Sequence, residues 1–128
     1  MQNSNMKLHD YELEIEDDIY TLEDMHFYID RALTFSKGKT YTIFEGDLEL
    51  KFAIAYAISQ IGIEASSLSD TFVKKHALLL NDIITLGESL AKNYFIMSEY
   101  SLWSAIKSDL PLLFEQCTQI LKDANRVL

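Results

Sequence analysis

From Leu48 to Leu68 the chain is apolar nearly all the way round a helix, and this stretch limits the possible folds more than any other. Leu50, Ile54, Ala57, Ile61, Ala65 and Leu68 recur at three- and four-residue intervals and form one continuous face. Phe52, Ala53, Ala55, Tyr56 and Ile58 widen that face towards the far side. A helix of this kind needs cover on more than one side, so it is expected at the centre of a helical bundle. Gly62 lies inside it, where Gly costs about 1 kcal/mol relative to Ala. That penalty points to close backbone packing at this position.

The rest of the chain agrees with an all-α fold. Among 128 residues there are one Pro and four Gly, too few turn signals for a sandwich or barrel. The length suits one domain with a single core. Ile15, Ile19, Leu22, His26, Ile29 and Leu33 mark a helical stripe, while Tyr11, Leu13 and Ile15 alternate with glutamates as in an extended arm. Thr21-Leu22-Glu23-Asp24 resembles a capping box, which puts the helix start near Tyr20 and leaves residues 1–19 as an acidic arm before a domain at 20–128. Lys37-Gly38 ends this helix, and residues 39–46 read as a connector. A short helix from Ser69 to His76 follows the central one, then a helix from Leu80 to about Ala91. Ser98 caps a segment to Ser108, and Asp109-Leu110-Pro111 reads as a fresh helix start, with Asp109 as N-cap. The expected fold is an up-and-down four-helix bundle with a short extra helix.

Charge narrows the function classes. A net charge of −9 argues against a broad phosphate-binding surface, which would need clustered Lys and Arg. RNA is therefore disfavoured as a partner over a large area, though a small local site remains open. No apolar run approaches the ~18 residues of a membrane span, and residues 1–7 lack an apolar signal core. The single cysteine, Cys117, can form no internal disulfide, and a cytoplasmic protein is expected. Cys117 sits on an apolar stripe and reads as a small core residue. His9, His26 and His76 show no metal-ligand spacing, and His26 reads as a packed histidine. There is no P-loop, no GxGxxG and no Ser-nucleophile motif, so no cofactor is expected.

One segment carries a recognisable pattern. Ile83-Ile84-Thr85-Leu86-Gly87-Glu88-Ser89-Leu90-Ala91-Lys92-Asn93-Tyr94-Phe95, followed at fixed spacing by Leu102-Trp103 and Asp109-Leu110-Pro111, resembles the HEPN domain of the HepT-like toxins. Thr34-Phe35-Ser36-Lys37-Gly38-Lys39, Ile61-Gly62-Ile63-Glu64-Ala65 and Phe72-Val73-Lys74-Lys75-His76 extend the resemblance over roughly residues 20–122. It implies an all-α HEPN-like fold and a homodimer with the cleft at the interface. It also implies a minimal nucleotidyltransferase as partner.

The departures from that family share a direction. The family's Arg falls on Gly87, its Asn on Glu88, its His on Lys92 and, by ungapped counting, its Glu on Ile63; Tyr94 keeps the motif tyrosine. RNA cleavage by 2′-OH attack needs a proton acceptor near neutral pH, which His supplies. It also needs a cation beside the developing phosphorane, which the planar Arg fork supplies. Gly87 has no side chain, and Lys92, with an unperturbed pKa of about 10.4, is a poor base. The resemblance thus implies a degenerate toxin-type subunit that binds its nucleotidyltransferase, not an enzyme. Tyr94 is implied as an acceptor of AMP. Two alternatives stay open: an active ribonuclease using Lys92 and Tyr94, and a nucleotide- or substrate-binding module for a nucleotidyltransferase.

Overall fold

The computed structural model describes residues 8–93 and 98–128. These form seven α-helices: α1 (Leu8–Ser36), α2 (Tyr41–Gly46), α3 (Leu48–Ser66), α4 (Asp70–Lys75), α5 (Asn81–Lys92), α6 (Glu99–Ser104) and α7 (Leu110–Asp123). A π-helical turn, Ala105–Asp109, joins α6 to α7. No strand occurs among the described residues. The all-α expectation therefore holds.

α3 packs against α1 on one side and α5 on the other, and α7 packs on α1. Ile54, Ile58 and Ile61 on α3 are fully buried, as are Leu22, Met25 and Ile29 on α1. The α3 prediction is right in place and extent, but its cover is incomplete. Leu48, Phe52, Tyr56 and Ile63 stay 43–63% exposed, so one apolar stripe of the central helix faces outward. The chain runs up α1, down α3, up α5 and down α6–α7. Between α5 and the α6–α7 arm the packing is loose, and grooves open there.

α1 begins at Leu8, not near Tyr20. The reason lies in tertiary contacts. Asp18 and Ile19 are buried, and the Asp18 carboxylate accepts hydrogen bonds from Ser69 N at 2.9 Å and Ser69 Oγ at 2.7 Å. Ser69 is also the N-cap of α4, its Oγ accepting from Phe72 N. Asp18 thus pins the first half of α1 to the start of α4. An unmet buried donor costs about 1–3 kcal/mol, so this contact resists fraying. Thr21 lies inside the helix and caps nothing.

Two further boundaries differ from expectation. Residues 41–46 are helical, not a connector, because Thr40 Oγ1 accepts from Ile43 N and Phe44 is buried beneath Trp103, 5.2 Å between ring centroids. Asp109 caps nothing with its side chain. The chain is already helical when it reaches Asp109, and Leu110 N–H donates to Ala105 O across the π turn. A proline ring one turn into an α-helix crowds the carbonyl four residues back, and a widened turn relieves that contact. The turn ahead of Pro111 thus keeps α6 and α7 in one continuous helical path.

Candidate functional site

Helix α5 carries the motif segment, and its burial pattern decides where each motif residue points. Ile83, Gly87 and Leu90 are buried at intervals of four and three, forming the stripe that faces α3. Gly87 is therefore inside the bundle. It meets Gly62 of α3 so closely that a Cβ at 87 would lie 2.9 Å from Gly62 Cα and 3.2 Å from Ile58 O. A Cβ at 62 would lie 2.9 Å from Gly87 Cα and 3.0 Å from Ile83 O. Close backbone packing at Gly62, expected from the sequence, is thus observed, and Gly87 is its partner. Position 87 has room for neither an arginine nor any other side chain while the helices hold this approach.

Glu88 and Lys92 are exposed. Ile63 lies on the outward stripe of α3, 48% exposed. Tyr94 lies outside the described residues. The structure thus separates the motif positions: Gly87 faces inward while Lys92 faces solvent at the end of α5.

The polar face of α5 borders a shallow cleft of about 500 Å³. Asp82, Thr85 and Ser89 line it from α5, and Tyr100, Ser101 and Ser104 from α6, with Asp109 at the π turn. Lys92 follows Thr85 by seven residues, two helical turns, and so continues this face towards the rim. Ion pairing steadies the far wall, where Lys51 Nζ of α3 contacts Glu99 Oε1 of α6 at 2.9 Å. Burial and the charge of Asp82 push the Asp109 carboxyl above its usual range.

Five hydroxyls and two carboxylates suit hydrogen bonding to a polar group, but among the described residues no cation lines the cleft to hold a phosphate. The histidines whose side chains are described lie elsewhere. His26 shares a hydrogen bond with Thr118 Oγ1 at 3.0 Å and stacks on Phe114 at 4.6 Å, with burial lowering its pKa. His76 belongs to the opposite end of the bundle, beside Phe72. Among the described residues no group of three or more His, Cys, Asp or Glu is placed to hold a metal ion.

The hydroxyl-lined cleft was not anticipated from sequence. Its signal was present as polar residues 82, 85 and 89, which alternate with the buried 83, 87 and 90 along one helix. What hid it was Asp109, whose place beside Pro111 reads as a helix cap.

An all-α bundle with such a motif helix can be compared with known proteins. No family model matches the chain, and no solved structure matches it. It is similar to two proteins of the archaeon Methanocaldococcus jannaschii that are named as candidate RNases. MJ1216 is 21% identical over 103 residues, covering 80% of this chain and 85% of the relative. MJ0125 is 21% identical over 103 residues, covering 80% of this chain and 89% of the relative. The likeness is therefore to ribonuclease-like proteins across most of both chains. No helix among the described residues is long and apolar enough to cross a membrane.

Proposed function

We propose that this chain is a HepT-like HEPN protein that has exchanged RNA cleavage for protein binding, acting as the subunit that engages a minimal nucleotidyltransferase. One observation carries the reading: Gly87, where the resemblance would place the catalytic Arg, is clamped against Gly62 with no room for a side chain. Without that cation the phosphorane would go unstabilised. Lys92 supplies positive charge, but from an exposed helix end and not from the buried place that Gly87 holds. In the same reading Tyr94 is the hydroxyl that receives AMP.

The outward stripe of Leu48, Tyr56 and Ile63 supports a second protein contact, with another copy of this chain. Its apolar side chains lie along one face of α3, and contiguous apolar surface of this kind marks interaction sites. Sedimentation equilibrium is expected to give twice the chain mass, falling to the single-chain mass on Ile63→Asp. A monomeric parent protein sinks the dimer.

A second reading is favoured by the two relatives, whose names make them candidate RNases. It keeps the chain as a ribonuclease using Lys92 and Tyr94. Incubation of the purified protein with total cellular RNA separates the two. The expected result is intact RNA with the parent protein and with Lys92→Ala alike. Cleavage by the parent that disappears in Lys92→Ala or Tyr94→Phe overturns the binding reading. In parallel, a minimal nucleotidyltransferase with α-labelled ATP is expected to label the parent protein and not Tyr94→Phe.

A further inference from the structure

The end of the bundle opposite Lys92 holds a second cavity, of about 380 Å³, between α1, α4 and α7. That volume lies within the range of small-molecule sites, roughly 300–1,000 Å³. Its floor is apolar, with Ile19 from α1, Phe72 from α4 and Ile120 from α7, and the exposed Ile15 of α1 extends it at the rim. One wall is aromatic, with the Phe72 and His76 rings 4.5 Å apart.

The charges around it are unbalanced. Glu14 and Asp18 approach from α1 and Asp123 from α7, against the ammonium of Lys75. His76 does not redress this near pH 7, because burial, with Lys75 beside it, holds its pKa below the ordinary value. Asp18 is fixed by its two bonds from Ser69 and cannot swing away. An apolar floor, an aromatic wall and a surplus of carboxylate form the surroundings that an organic ammonium prefers, through ion pairing and attraction to ring faces.

We propose that the α1–α4–α7 cavity binds a small organic cation, an apolar body bearing one protonated amine. The apolar body displaces water from Ile15, Ile19 and Ile120, and the ammonium lies towards Asp123 and Glu14. Lys75 opposes it, so the lysine weakens the site that the carboxylates create. This site shares no lining residue with the α5–α6 cleft and lies at the end of the bundle away from Lys92. α5 alone, at about 1.5 Å per residue, separates the two ends by roughly 18 Å.

The test uses three probes of similar shape: 2-phenylethylammonium, neutral 2-phenylethanol and anionic 3-phenylpropionate. Binding is followed by amide shifts in two-dimensional NMR on the full chain. The expected result is saturable shifts at α1, α4 and α7 with the ammonium, and binding of the neutral probe weaker by about tenfold, or about 1.4 kcal/mol. Asp123→Asn, at an exposed position, is expected to weaken the ammonium by about two- to fivefold, and Lys75→Gln to tighten it by a similar factor. The same two changes leave the neutral probe unaffected. Ala124→Trp, at the exposed end of α7, fills the mouth and abolishes binding of every probe. Equal affinity for all three probes overturns the proposal. So does an ammonium that binds Ala124→Trp as well as it binds the parent. No residue lining this cavity has a part in the proposed function, so the outcome of the RNA and AMP assays does not affect this one.

Discussion

Gly87→Ala is expected to destabilise the protein by about 1–3 kcal/mol, the usual cost of forcing an extra methyl into a packed interior. The sign is unusual, because Ala is favoured over Gly in a helix by about 1 kcal/mol. Here that gain is outweighed. The new Cβ would meet Gly62 Cα at 2.9 Å and Ile58 O at 3.2 Å, and both are backbone atoms that cannot rotate out of the way. α3 and α5 must separate, loosening the contacts of Ile58, Ile83 and Leu90. Gly62→Ala is expected to behave alike, since its Cβ meets Gly87 Cα and Ile83 O.

A melting curve checks both, with a fall of about 5–10 °C expected for each. Gly46→Ala serves as the control, because a Cβ there meets nothing within 4 Å and should leave the curve unchanged or raise it. If the 62 and 87 variants melt like the control, the glycine contact is not what joins these helices. Gly87→Arg is expected to cost more than Gly87→Ala. Restoring the family's arginine is therefore not a clean rescue of chemistry: lost or partial folding must be excluded before its activity is interpreted.

The second large effect concerns Cys117. Its side chain is fully buried on α7, and burial pushes the thiol up to about 12. Only the thiolate attacks an alkylating reagent. At pH 8, a thiol of pKa about 12 is ionised in about one molecule in ten thousand, against about one in four at the ordinary value near 8.5. Iodoacetamide is therefore expected to label the unfolded chain at least about a thousandfold faster than the native one, since burial also blocks access. Labelling of native protein within tenfold of the unfolded rate would place Cys117 outside the core.

The linkage has a definite sign. The raised native value means that Cys117 favours folding fully below about pH 8.5. That contribution declines as pH rises from there towards about 12, because the unfolded thiol ionises first. The same reagent reports on the glycine variants, whose looser bundles should label faster.

Sequence periodicity carried much of the fold. The repeats of apolar residues in α1, α3 and α7 located three of the long helices, because a stripe at helical spacing has few other ways to leave water. Local sequence also located Ser98 as a cap, since a cap depends on residues a few positions apart. Periodicity did not find the start of α1. Asp18 and Ile19 look like the end of an acidic run, and only Ser69, distant in sequence, makes them interior. The helical state of residues 41–46 depended likewise on Trp103 lying over Phe44.

The site divides along the same line. The chain by itself determined which chemical groups exist: no arginine or histidine at 87 and 92, a lysine and a tyrosine near them, and a surplus of carboxylates throughout. It also determined an all-α bundle around one central helix. Only the tertiary structure decided that Gly87 faces inward, that Ile63 belongs to an exposed stripe, and that hydroxyls from α5 and α6 share a cleft. The physical reason is that helical periodicity fixes the relative directions of side chains on one helix. Which of those directions becomes interior is settled by the neighbour that arrives there from elsewhere in the chain.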